Sequence, residues 1–211
     1  MPRIGAGQPL PSHRNLLEAG ELDMLGELVN IAQGQAAAML CSLVGVSTRL
    51  RAPRLQICHP TVAREHLASG LGEATEEFLI EQSARLGFCT QGSLLLSVHD
   101  RDAFRRELLL EATEPDAGGA LEVGNLLMGT CLGQLAGLLG CRAAFSHPRL
   151  TEGRQIHWNG QCSTTFEVLL VETYFGLDNG VFDGRFDLVI PDWSWPMLRA
   201  ALTSLEDDLE A

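Results

Sequence analysis

Two acid–amide pairs carry the side chains best suited to chemistry. Glu27 precedes Asn30 by three positions, and Glu122 precedes Asn125 by three. Side chains three apart on a helix lie next to each other on one face. A carboxylate accepts hydrogen bonds and pairs with cations; a carboxamide both donates and accepts, so it can orient a water molecule. Asp23 falls on the same stripe as Glu27 and Asn30, and Gly34 and Gly129 extend the two stripes by a turn without a side chain. A glycine inside a helix costs roughly 1 kcal/mol against alanine. Close approach of another helix or of a partner's backbone would offset that cost. Leu28, Ile31, Ala32, Met39, Leu40 and Leu43 are left to face the core.

One such stripe reads most simply as charge near a helix N-terminus on a solvated face. Its repetition argues for more. Aligning NIAQGQAAAMLCSLVG (30–45) with NLLMGTCLGQLAGLLG (125–140) puts Glu27 on Glu122, Asn30 on Asn125 and Gly34 on Gly129. Leu40 then meets Leu135, Gly45 meets Gly140, and Pro53 meets Pro148. The ends of the halves also correspond. GSLLLSVHD (92–100) and GRFDLVIPD (184–192) each read as a strand ending in Asp, followed by an amphipathic helix. The chain is written as a duplicated unit joined near Glu114–Gly119.

The elements that must position these residues follow from periodicity and turn signals. Helices are expected over about 22–44 and 119–140, closed by Gly45 and Gly140. Strands are expected in RLRAPRLQICH, EEFLIEQSARLGF and GSLLLSVH, then in CRAAFSHPRL, GRQIHW, TTFEVLLVETYF and RFDLVI. Asn159-Gly160, Asn179-Gly180 and Asp183-Gly184 mark tight turns, hence antiparallel neighbours. The fold class expected is α+β: a pseudo-two-fold duplicated unit with an antiparallel sheet and both motif helices packed on one face. Residues 1–15 read as disordered and 206–211 as a solvated acidic tail. Between them, 16–205 form one domain of two repeats, about 20–113 and 116–205. Pro53 and Pro148 mark edge strands or bulges rather than chemistry. Trp193 and Trp195 are expected to pack a terminal helix onto the core.

Composition excludes several functions. The net charge of −12 argues against nucleic acid and against anionic lipid as partners. All 15 basic residues are Arg, which removes a P-loop, a Schiff base and any lysine-dependent phosphate site. The six cysteines form no CxxC pair and do not read as a disulfide framework; Cys41, Cys131 and Cys141 are expected as small core residues. The six histidines form no HExxH, and no metal site is favoured by their spacing. Residues 28–48 and 123–141 carry no charge, yet Asn30, Gln33, Gln35, Asn125, Gln134 and several glycines make membrane spans untenable. The start, MPRIGAGQPLPSHRN, has no signal-peptide core, so a cytoplasmic location is expected.

Asp23-x3-Glu27-x2-Asn30-x22-Pro53, repeated as Glu122-x2-Asn125-x22-Pro148, resembles the signature of the CheC/CheX/FliY phosphatases of bacterial chemotaxis. Two copies in one chain are most similar to CheC. The resemblance covers roughly residues 20 to 200. It implies a CheC-like fold and removal of the phosphoryl group from the aspartyl-phosphate of a CheY-type response regulator. It implies that Asn30 and Asn125 align the attacking water and that Glu27 and Glu122 pair with the regulator's lysine. It further implies no cofactor in this chain, Mg²⁺ on the regulator, and CheD-like deamidase as a second partner. The alternative is a non-catalytic adaptor of the same fold. Two features depart from the pattern: Gly118 stands where the second motif should have Asp or Ser, and Ala32 and Leu127 replace a frequent glycine.

Overall fold

The computed structural model describes residues 17–110, 115–151 and 167–210. The expected N-terminal disorder, the Asn159-Gly160 turn, the GRQIHW strand and Cys162 lie outside the described residues.

Helix α1 spans Ala19–Val44. A reciprocal capping box starts it: Glu18 caps the first turn, and its own backbone N–H donates to Glu21 at 2.6 Å. Gly45 ends it in the left-handed region at φ 71°, its N–H donating to the Cys41 carbonyl. The edge segments β1 (Thr48–Leu50) and β2 (Arg54–Cys58) follow, then α2 (Pro60–Ala68). A hairpin of β3 (Glu76–Arg85) and β4 (Cys89–Val98) leads into α3 (Arg101–Glu107).

The order then repeats. Helix α4 spans Asp116–Leu138, so the expected junction at Glu114–Gly119 is already helical from Asp116. Short edge segments β5 (Ala144–Phe145) and β6 (Arg149–Leu150) precede a hairpin of β7 (Val168–Leu177) and β8 (Phe182–Pro191). A 3-10 turn at Asp192–Ser194 leads into α5 (Trp195–Glu210). Residues 206–210, expected as a tail, are the end of α5, with Glu206 and Asp207 exposed.

The eight described strands join one antiparallel sheet. Its order runs from β1 and β2 through β7, β8, β4 and β3 to β5 and β6. The order reads the same when the two halves are exchanged. Each edge carries one extra residue. From Leu50 to Arg54 the edge advances four residues while β7 advances three, and from Phe145 to Arg149 it does the same against β3. Pro53 and Pro148 sit in these two bulges, where no ladder N–H is required.

The sheet is covered on both faces. On one, Leu25, Val29, Ala32 and Leu40 of α1 join Val123, Met128, Leu132 and Leu135 of α4 over Ile80, Leu94, Phe186 and Leu188. Trp195 closes this core from α5, its indole N–H donating to the Ile190 carbonyl at 3.1 Å. On the other face, Ala63 and Leu67 of α2 pack on Val168, Leu170 and Val189. Helix α2 was not foreseen, although Pro60 at its first turn and His59 at its cap are helix-start signals.

Asp183-Gly184 is not a turn. It lies inside β8, and the turn is Asn179-Gly180 alone. Gly184 is needed because the Phe175 ring lies over it: a Cβ there would collide with that ring and with the Leu95 carbonyl. Gly184→Ala should therefore destabilise the fold by about 1–3 kcal/mol, the usual cost of overpacking. Urea unfolding measures it, and an unchanged midpoint would contradict the close packing of β8 against Phe175.

Candidate functional site

Helices α1 and α4 lie against each other on the same sheet face, and both point their acid–amide pairs outward. Asp23, Glu27 and Asn30 are exposed on α1; Glu122 and Asn125 are exposed on α4. Their neighbours Leu28, Val29 and Ala32, and Val123 and Leu127, are buried. The polar stripe is thus what remains of each helix once its apolar side is used. Buried Gln33 anchors α1 from beneath, its side-chain amide donating to the Thr173 hydroxyl of β7.

Asp23, Glu27, Asn30 and Pro53 line a single open groove of about 760 Å³. Ala52 and Leu55 form its far wall together with Pro53, so the bulged edge strand faces the stripe. Among the described residues, the side chains of Glu27, Asn30, Glu122 and Asn125 have no hydrogen bond or ion pair. An acid and an amide left open in this way can take a cation and a water from outside the chain.

Several expectations need correction. Ile31, Met39 and Leu43 do not face the core; they are 47%, 48% and 50% exposed. Glu18 caps the helix, and Asp23 lies a turn further in. Neither Gly34 nor Gly129 is approached closely: a Cβ added at either would meet nothing within 4 Å. No described helix of this chain explains them.

The second site differs at its leading end. Gly118 is half-buried, and the acid nearest it, Asp116, is committed elsewhere. Asp116 is buried and accepts from both Arg101 and Arg105 of α3. Burial alone would raise its carboxyl, but the hydrogen bonds from Arg105 and Arg101 outweigh that and hold it below the ordinary carboxylate range.

Sequence reasoning missed one cluster. His66, Glu172 and Asp187, from α2, β7 and β8, bring their ligand atoms within 4.8 Å of one another. Their separation along the chain left no spacing signal to find.

The architecture is an α+β fold with an antiparallel sheet, and it has known counterparts. No family model matches the sequence, and no curated protein matches it. Among solved structures the chain is similar to FliY from Thermotoga maritima, with TM-score 0.67 and 18% identity, covering 90% of this chain and 99% of that one. It is similar to a chain of the FliM–SpeE complex from H. pylori, with TM-score 0.62 and 9% identity, covering 90% and 98%. It is also similar to the chemotaxis protein CheX from Desulfovibrio desulfuricans, with TM-score 0.50 and 13% identity, covering 77% and 99%. The fold is therefore the one shared by FliY, FliM and CheX. Among the described residues, no helix is long and apolar enough to cross a membrane.

Two outcomes follow from the helix chemistry. Gly34→Ala should stabilise the protein by roughly 0.5–1 kcal/mol, because the added methyl meets nothing and helix propensity improves. A lower urea midpoint would mean that the position is packed within the chain. Asp116 contributes stability that is present above its unfolded value near 4 and lost as pH falls through its lower folded value. Asp116→Asn should accordingly lower stability at pH 7 and flatten its decline as the pH falls below about 4. Unfolding midpoints across that range test this, and parallel curves for the two proteins would refute it.

Proposed function

We propose that this chain is a member of the CheC/CheX/FliY family and a phosphatase for the aspartyl-phosphate of a CheY-type response regulator. It would act in chemotaxis or related two-component signalling, in the cytoplasm. The observation that carries the reading is the pair of exposed, unpartnered acid–amide sets on adjacent helices, one of them in a groove lined by Pro53. The fold alone would not suffice, since one fold hosts several functions.

Phosphoryl transfer passes through a loose, in-line transition state in which position and electrostatics dominate. An aspartyl-phosphate is already activated, and the regulator carries the Mg²⁺ that shields it, so this chain needs no metal for the step. Asn30 and Asn125 hold the attacking water in line through their carboxamides. Glu27 and Glu122 anchor each helix on the regulator's active-site lysine. Open space at Gly34 and Gly129 lets a partner approach the helix backbone. The exposed Ile31, one turn on from Glu27, gives a protein partner apolar surface to bury beside the stripe.

The second reading is an adaptor that binds the phosphorylated regulator or a CheD-like deamidase without turnover. Gly118, together with the commitment of Asp116 to Arg101 and Arg105, favours it for the α4 site.

Decay of a ³²P-labelled CheY-type regulator from the same cell separates the two. Acceleration by the wild-type chain is expected. Asn30→Ala should reduce the α1 site's contribution by about 10²-fold, and the double variant with Asn125→Ala should return decay to background. Glu27→Ala should weaken docking by about tenfold, the loss of one charge-assisted hydrogen bond. Binding without acceleration would favour the adaptor, and full acceleration by the double variant would refute the roles given to Asn30 and Asn125.

A further inference from the structure

The sheet face opposite α1 and α4 holds charges that the phosphatase reading does not use. Glu172 and Asp187 are register partners across β7 and β8, so two carboxylates stand side by side. Like charges directly opposite in a ladder repel. Asp187 is fully buried, and the Glu172 side chain is 13% exposed. Arg185, itself 1% exposed, answers only one of them: its Nε donates to Asp187 Oδ2 at 2.8 Å. Its other nitrogens donate to the carbonyls of His66, Leu67 and Ser69 and to the Ser69 hydroxyl. Arg185 therefore clamps the end of α2 and has no donor left for Glu172.

His66 reaches into this pair from α2. Its Nε2 lies 2.8 Å from Glu172 Oε2 and 3.2 Å from Asp187 Oδ1. One ring nitrogen carries at most one hydrogen, yet it faces two carboxylate oxygens. Such convergence suits a metal ion better than a single proton. Zinc bonds of about 2.0–2.2 Å to nitrogen and oxygen place tetrahedral ligand atoms about 3.4 Å apart, inside the 4.8 Å that bounds this cluster.

A second, independent feature points the same way. Ser93 of β4 is the register partner of Asp187 on the other side, is 1% exposed, and its hydroxyl has no hydrogen-bond partner. Buried hydroxyls are nearly always satisfied. A water bound to an ion at this cluster would satisfy it.

We infer that His66, Glu172 and Asp187 form a site for a divalent transition metal of the zinc type, which fastens α2 to β7 and β8. One imidazole and two carboxylates make a mixed nitrogen–oxygen set, which suits zinc rather than Mg²⁺ or Ca²⁺, both of which favour oxygen alone. The 22% exposure of the His66 side chain leaves an entry from solvent. The dication also balances the carboxylate that Arg185 leaves unanswered. Helix α2 has only nine residues and a small apolar footing on Ala63 and Leu67, so such a tie would hold it where packing alone does little.

The full-length chain, stripped with a chelator and titrated with Zn²⁺ by calorimetry, tests this without reference to phosphatase activity. One equivalent per chain is expected, with a rise in Tm on saturation. His66→Ala and Glu172→Gln both spare the buried Arg185–Asp187 pair, and circular dichroism checks that they fold. Each should weaken the site by about tenfold or more and abolish the rise in Tm. Absence of saturable binding by the wild type would overturn the inference. So would wild-type affinity in both variants, which would place the metal on other residues.

Discussion

Each half of the chain gives its edge strand to the hairpin of the other half. Segments β1 and β2 follow α1 but pair with β7, and β5 and β6 follow α4 but pair with β3. Only the central β4–β8 pairing joins the hairpins directly. Neither half can complete its sheet alone, and about half of the ladder is made outside the two hairpins. The groove depends on this exchange. Residues Gly45–Ser47 tie the end of α1 to β1, so β7 sets where α1 lies on the sheet. The bulge at Pro53 then turns the edge strand toward Glu27 and Asn30.

That dependence explains what could be read from the sequence. Helix ends were legible because Gly45 and Gly140 are local signals; both adopt positive φ. The correspondence of the halves was legible because the polar stripe kept its spacing. The inward side of α1 was not. The helix carries apolar residues nearly all round, so Leu28 and Leu40 cannot be told from Ile31 and Met39 until α4 and the sheet claim one side. Asp183-Gly184 misled for a related reason. Asp-Gly is a turn signal by local preference, but the glycine answers a tertiary demand, the Phe175 ring across the strand. His66, Glu172 and Asp187 could not be found from spacing at all, because strand register and a short helix bring them together.

The two faces of the sheet solve different problems. Beneath α1 and α4 the core is almost wholly apolar, and Gln33 is a rare polar contact crossing it. On the α2 face, Arg185 and Asp187 are fully buried and hydrogen-bonded to one another and to the helix end. A buried pair of this kind is poor evidence of stability, because desolvation offsets most of its attraction. It does fix position: five donors of one guanidinium on a helix end and a carboxylate allow a single placement of α2.

The exposed surface of α1 is where the needs of folding stop explaining the residues. Gly34 weakens the helix and packs against nothing, Ile31, Met39 and Leu43 expose apolar surface, and Glu27 and Asn30 take no partner among the described residues. Each is tolerable alone, since exposed apolar residues and solvated acids are common. Their concentration on one helix is not what stability would select, because alanine at 34 and polar residues at 31, 39 and 43 would serve the isolated chain better. A surface shaped by a partner has the opposite requirements: room for another backbone, apolar area to bury, and polar groups kept free for the partner's charges. The α4 stripe meets these requirements less fully. Its large apolar positions Leu126 and Leu138 are half-buried, and its leading acid is absent. The two helices thus differ physically within the fold they share, and it is α1 that exposes more residues which folding leaves unexplained.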